Sequence, residues 1–446
     1  MIQTILIKHD RVLSHLCLLL ALGIPELLPA QNITTESNDL VRTELCGPKT
    51  ATVDEASPSD EIEASESEKA CEQLQQELVE QSRADASMQV AEDNQSAYTL
   101  KTLLLGRNHL FFGRAEGDYA LYRGDIPSSE SGGDLRRLRV GVAGLATFLD
   151  QVSYKLELDL TDGTNNFSDL YVQWDLPKRG ALRIGNQRVS QSLSAMTSSL
   201  SHLFMEEPLP VSAFSLSRRL AVSYDHDWRR FGLHGIFFTR DPNNDAGKYG
   251  WALRMFTKPI RGPRQIGHVG FSMVSEKMDR EARYRVRPES HVTNIRLVDT
   301  GLFEDVQYQH VLGLEMAGGL GSNSVKLELF RARWERDQGR HNTFNGAYLE
   351  AGHFLTGQDF NYKKGKFVRP QLEPGTRAWE IGLRASWVDL NDRDVRGGEQ
   401  LNVGAALNYY PRPNLRFMLN LLRFRTDSVA GDDRGWILQT RVQFSR

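Results

Sequence analysis

The chain has 446 residues, of which 40% are hydrophobic and 25% charged, with a formal net charge of -3. A mean hydropathy of -0.44 excludes a protein built from membrane-spanning helices, because each span needs about 20 consecutive apolar residues and the one long apolar run covers only 16–24. Residues 31–98 carry 16 acids against 4 bases, whereas 99–446 carry 48 bases against 39 acids, so an acidic segment precedes a basic body.

The first 30 residues read as a secretory signal. Lys8 and Arg11 form its basic region, 16–24 its apolar region, and Leu28-Pro29-Ala30 a cleavage site before Gln31. Beyond it only Cys46 and Cys71 remain. They either pair in an oxidising compartment or stay as two thiols, and neither state points to metal chemistry. Residues 31–98 are rich in Ser, Glu, Asp and Thr and poor in aromatics, the composition of disorder. Within them, 66–83 places Ala70, Leu74, Leu78 and Gln81 near one face. Such a piece suits a short coiled coil in a trimer, although a helix of that length is marginal alone.

From Leu100 the pattern changes to alternation of apolar and polar residues, broken by Gly, Asn, Asp and Pro. Leu156, Leu158 and Leu160 oppose Lys155, Glu157 and Asp159; Leu170, Val172, Trp174 and Leu176 share the next face. Trp379, Ile381, Leu383, Ala385 and Trp387 oppose Glu380, Arg384 and Ser386, and Leu401, Val403, Ala405, Leu407 and Tyr409 oppose Asn402 and Asn408. Trp436, Leu438, Val442 and Phe444 oppose Gln439, Arg441 and Gln443. A soluble sandwich would bury the apolar face on a second sheet; an outer-membrane barrel turns it to lipid and wets the polar face. Long strands, charged inner faces and aromatics at strand ends (Trp379, Trp387, Tyr409, Tyr410, Trp436) favour the barrel. The 348 residues of 99–446 make room for about 15–17 strands with their connections, and the even-number rule selects 16. The fold class is therefore all-β, a transmembrane antiparallel barrel of 16 strands over 99–446, preceded by a signal peptide (1–30) and an acidic segment (31–98). Phe444 is expected on the lipid face, with its strand closing against the first.

Arginine is the conspicuous lumen residue. Arg114, Glu116 and Asp118 share a face of the first strand, and Arg137 and Arg139 a face of the second. Alternation sends Arg136 outward, so it belongs at the strand start, in a bulge or in the headgroup zone. Arg280, Arg283, Arg285 and Arg287, then Arg331, Arg333 and Arg336, follow. Guanidinium groups stay charged and offer forked donors to phosphate and carboxylate oxygens; the ordinary alternative is arginines balanced by acids on the facing wall. Arg114, Arg136 and Arg137 are expected to lie near one another at the narrowest part of the lumen. The stretch 190–214 lacks alternation and reads either as a loop folded into the lumen or as one lying over the barrel. No catalytic or metal-ligand spacing stands out among the scattered histidines.

These residues resemble the phosphate-selective porin O/P family. The resemblance runs from Phe111 to Phe444 and rests on Gly113-Arg114, Asp118-Tyr119, Arg136-Arg137, the run from Ala347 to Gly357 with Tyr362-Lys363, the run from Ala378 to Arg384, Gly398-Glu399-Gln400 and the run from Leu407 to Tyr410. It implies a 16-stranded homotrimer in the outer membrane of a Gram-negative bacterium, embedded in lipid and passing small anions such as phosphate. It also implies that Arg114, Arg136 and Arg137 form the anion constriction and that Arg285 and Arg287 line the outer approach. Glu206 and Glu207 depart from it, standing where phosphate-specific members are more basic. The expectation is an anion porin with no cofactor, no metal, no nucleic-acid partner and no chemistry. The alternatives are a barrel-borne hydrolase and a plugged structural barrel.

Overall fold

A computed structural model describes residues 109–146, 149–161, 166–239, 248–373, 375–428 and 431–446. The expectations for the leader, the acidic segment, Cys46 and Cys71 lie outside the described residues. Sixteen long strands form one closed antiparallel sheet. They are β1 (His109–Gly124), β2 (Gly132–Ala146), β3 (Leu149–Asp159), β4 (Asn166–Leu176), β5 (Gly180–Arg188), β6 (Arg218–Asp227), β7 (Phe231–Phe238) and β8 (Tyr249–Thr257). The second half comprises β9 (Gln265–Ala282), β10 (Phe303–Leu320), β11 (Asn323–Arg336), β12 (His341–Phe354), β13 (Ala378–Asp392), β14 (Val395–Arg412), β15 (Leu415–Asp427) and β16 (Arg434–Ser445).

Each strand pairs with its sequence neighbours, and β16 pairs with β1, placing Phe444 opposite Ala115 and Arg441 opposite Asp118. Closure leaves no unpaired edge in contact with lipid. Alternation decides the two faces. Along β16, Trp436, Leu438, Val442 and Phe444 are exposed on the outer surface, while Ile437, Gln439, Arg441, Gln443 and Ser445 are buried inside. Phe444 is thus where the pattern puts it. Tyr410 corrects the expected aromatic girdle: it is 2% exposed and donates its hydroxyl to Glu380 inside the barrel at 2.8 Å. Adjacent strand residues point to opposite faces, so only Tyr409 of that pair stays on the outer side, stacked on Trp379.

Two connections fold into the lumen from the end opposite the chain termini. Residues 189–217 carry two short helices, α1 (Leu193–Met196) and α2 (Leu209–Phe214), and bury Leu193, Leu200, Leu203, Phe204, Leu209, Val211 and Phe214. The inward reading of that stretch therefore holds. The apolar side of α2 explains its seat: Phe214 meets Tyr284 edge-on at 5.1 Å, and Tyr284 stacks on Trp334 at 4.8 Å. Two glycines admit the loop, since a Cβ at Gly382 would lie 2.4 Å from Leu203 and one at Gly346 would lie 2.6 Å from Pro210. Residues 283–302 line the same space. At the end bearing the termini, the connection 355–377 also turns inward. There Tyr362 bonds His268 at 2.6 Å, Arg254 donates to the Gly365 carbonyl at 2.7 Å, and Arg369 donates to Ser445 at 3.0 Å. Short turns face the periplasm in such barrels, which assigns the end bearing the termini to that side.

Candidate functional site

The site begins with an irregularity between β1 and β2. Arg114 stands opposite Arg139 and Glu116 opposite Arg137, but Gly117 stands opposite Leu135, so Arg136 is an extra residue. Two adjacent arginines cannot both face a lumen in a regular pleat; the bulge re-aims one of them. Arg136 turns inward and grips Glu206 of the 189–217 loop with two parallel bonds, Nε to Oε1 at 2.8 Å and Nη2 to Oε2 at 3.0 Å. Of the three places the sequence allows Arg136, the structure selects the bulge.

The other lumen arginines are paired as well. Arg137 donates to Glu116 at 2.5 Å, Arg114 to Glu157 at 3.0 Å and to Ser199 at 2.9 Å. Arg139 binds Glu157 at 3.0 Å and Asp159 at 2.6 Å. Arg441 of β16 clamps Asp118 at 2.6 and 2.7 Å and reaches Glu206 at 2.6 Å. Asp118 is therefore held by Arg441 rather than by its neighbours in sequence. Arg331 and Arg333 stand on the exposed face of β11, away from the lumen.

A cavity of ≈ 410 Å³ opens between the wall and the two inward loops. Arg136, Arg137 and Arg139 of β2, Arg188 of β5, Arg218 of β6, and Arg285, Arg287 and Arg296 of the 283–302 loop line it, with Glu206, Glu207 and Glu289. Of the arginines the sequence points to, Arg136, Arg137, Arg139, Arg285 and Arg287 meet here. Arg114 does not line the cavity; it lies behind Ser199.

Residues 104–445 match the family Phosphate-selective porin O and P. The chain belongs to that family. An uncharacterized protein of Caulobacter vibrioides is 33% identical to this porin over 315 residues, covering 65% of the chain and 62% of that protein. The chain thus spans less than two thirds of that relative. Among solved structures, the outer-membrane protein OmpT of Vibrio cholerae superposes with a TM-score of 0.50 at 11% identity, over 77% of this porin and 100% of that chain. An anion-selective porin from Comamonas acidovorans gives a TM-score of 0.49 at 12% identity, over 76% and 99%. At 11% identity the likeness to OmpT shows the fold alone.

Charge balance inside the porin is uneven. Among the described residues, Arg285, Arg287 and Arg296 have no carboxylate within salt-bridge distance; Arg287 donates to His291 and Asn294, both at 2.7 Å. Arg188, Arg218, Arg296 and Arg441 were not singled out from sequence as site residues. Arg441 had a readable signal, since it lies on the polar face of the closing strand. Arg296 sits in a loop without periodicity and had none.

Proposed function

We propose that this porin is a passive channel for small anions, with no catalytic step. The observation that carries the reading is the unpaired positive charge of Arg285, Arg287 and Arg296 on a cavity whose β2 arginines are already balanced by acids. Charge on low-dielectric walls raises the local concentration of a counter-ion, and guanidinium donors replace part of its hydration. Replacing the three loop arginines by glutamine is expected to lower chloride conductance severalfold at about 0.1 M salt, where screening extends over about 10 Å, and to have little effect at 1 M, where it extends over about 3 Å. Equal conductance at low salt would remove the reading.

The chain organisation belongs to the same proposal: residues 1–30 direct export, residues 31–98 form an acidic periplasmic segment, and the barrel assembles as a homotrimer in lipid. A variant joining residue 30 to Thr99 is expected to yield a heat-modifiable membrane species as the full chain does. Its absence would give 31–98 a role in assembly.

A further inference from the structure

We infer that Glu206 is the specificity-determining residue of the constriction: its carboxylate occupies the seat an incoming oxyanion would take, so that the channel passes singly charged anions and does not retain phosphate. The inference rests on the reading of the cavity as an anion path. Glu206 receives what a bound phosphate would receive, a two-pronged guanidinium from Arg136 at 2.8 and 3.0 Å and a third donor from Arg441 at 2.6 Å. Forked, charge-assisted pairs of this kind are the strong class of hydrogen bond and match phosphate as well as carboxylate.

Its backbone does not let the side chain drift. The Leu203 carbonyl accepts from Asn408 at 2.9 Å, the Met205 N–H donates to Asn420 at 2.9 Å, and the Met205 carbonyl accepts from Arg441 at 2.6 Å. The Glu206 carbonyl itself accepts from Arg384 at 2.8 Å, and the Leu209 N–H donates to Ser386 at 2.8 Å. The segment is therefore pinned from β13 to β16, and Arg136 reaches it from β2, on the far side of β1. A carboxylate tethered in this way competes with solute at an effective concentration on the order of millimolar or above. Burial by itself would raise the Glu206 carboxyl, but Arg136, Arg441 and Arg137 outweigh it and hold the group well below the usual carboxylate range, so it stays ionised. A doubly charged phosphate would have to displace a fixed anion; a singly charged one can pass along Arg285, Arg287 and Arg296 without displacing it.

The experiment is a titration of chloride current with inorganic phosphate in planar bilayers, on the full chain and on Glu206→Gln. The amide keeps the shape and removes the charge. Phosphate is expected to inhibit the Glu206→Gln channel at concentrations tenfold or more below those that inhibit the wild type. Glu207→Gln, at a residue that lines the same cavity and has no salt-bridge partner among the described residues, is expected to shift the titration much less. Equal phosphate sensitivity of wild type and Glu206→Gln would overturn the inference. So would a wild-type channel already blocked by phosphate far more dilute than chloride, a reading that needs no variant to fold. The zero-current potential in a salt gradient, taken on the same bilayers, separates the two claims. Cation preference there removes the proposed function; anion preference with unchanged phosphate sensitivity removes the role of Glu206 alone.

Discussion

Replacing Arg136, Arg137 and Arg139 together by glutamine is expected to move the zero-current potential of the channel strongly toward cations. The three arginines balance Glu206, Glu116, Glu157 and Asp159. Their loss does more than remove positive charge, because it leaves carboxylates facing the cavity with fewer partners. Glu206 and Glu116 keep Arg441, and Glu157 keeps Arg114 and Lys155, so the barrel retains a scaffold on which to fold. Fields in such clefts alter counter-ion capture by roughly tenfold or more, and a fall in anion-over-cation permeability of that order is the expected result. Arg331 and Arg333, on the outer face of β11, provide the control: their replacement leaves selectivity where it was. Matching shifts from both sets would mean that charge acts through the rim rather than the cavity.

The largest effect on stability is expected at Arg441. Its side chain is fully buried and pairs with Asp118 and Glu206, with Glu116 at 3.4 Å. Asp118 and Arg441 also face each other in the register that joins the last strand to the first, so the ion pair lies on the seam that closes the barrel. Removing one partner of a buried pair strands the other charge and costs about 3–5 kcal/mol. Arg441→Ala is therefore expected to lower the unfolding free energy in detergent or vesicles by about that amount, whereas Arg331→Ala on the outer surface stays within about 0.5 kcal/mol. A midpoint unchanged by Arg441→Ala would show that the seam is held by backbone pairing alone.

The barrel was legible in the sequence because lipid and lumen impose a period of two on every strand. Leu156, Leu158 and their counterparts could be sorted by face before any contact was known. The same rule misleads where a strand ends on two aromatics: Tyr409 and Tyr410 cannot both face lipid, and the second goes inside. The bulge at Arg136 was one of three readings the alternation allowed, and a partner 70 residues away, Glu206, decides among them. That partner explains why the site was only half legible. A sequence shows which residues carry charge, but the balance of charge depends on which loop folds in and where it is pinned. Arg114, Arg136 and Arg137 look like free anion ligands until Glu157, Glu206 and Glu116 are seen against them. The unbalanced charge belongs instead to Arg285, Arg287 and Arg296; the resemblance already places the first two at the outer approach, but nothing in the sequence marks Arg296. The inward fold of the connection between β12 and β13 was equally hidden, since it carries no alternation to read.

The central claim, that the cavity arginines make this barrel an anion path, is tested most directly by the zero-current potential of the wild-type protein across a potassium chloride gradient in a planar bilayer. The account predicts a potential of the polarity set by chloride permeation, larger at low salt than at high salt because screening weakens the cavity field. A potential of the opposite polarity, set by potassium, would contradict it.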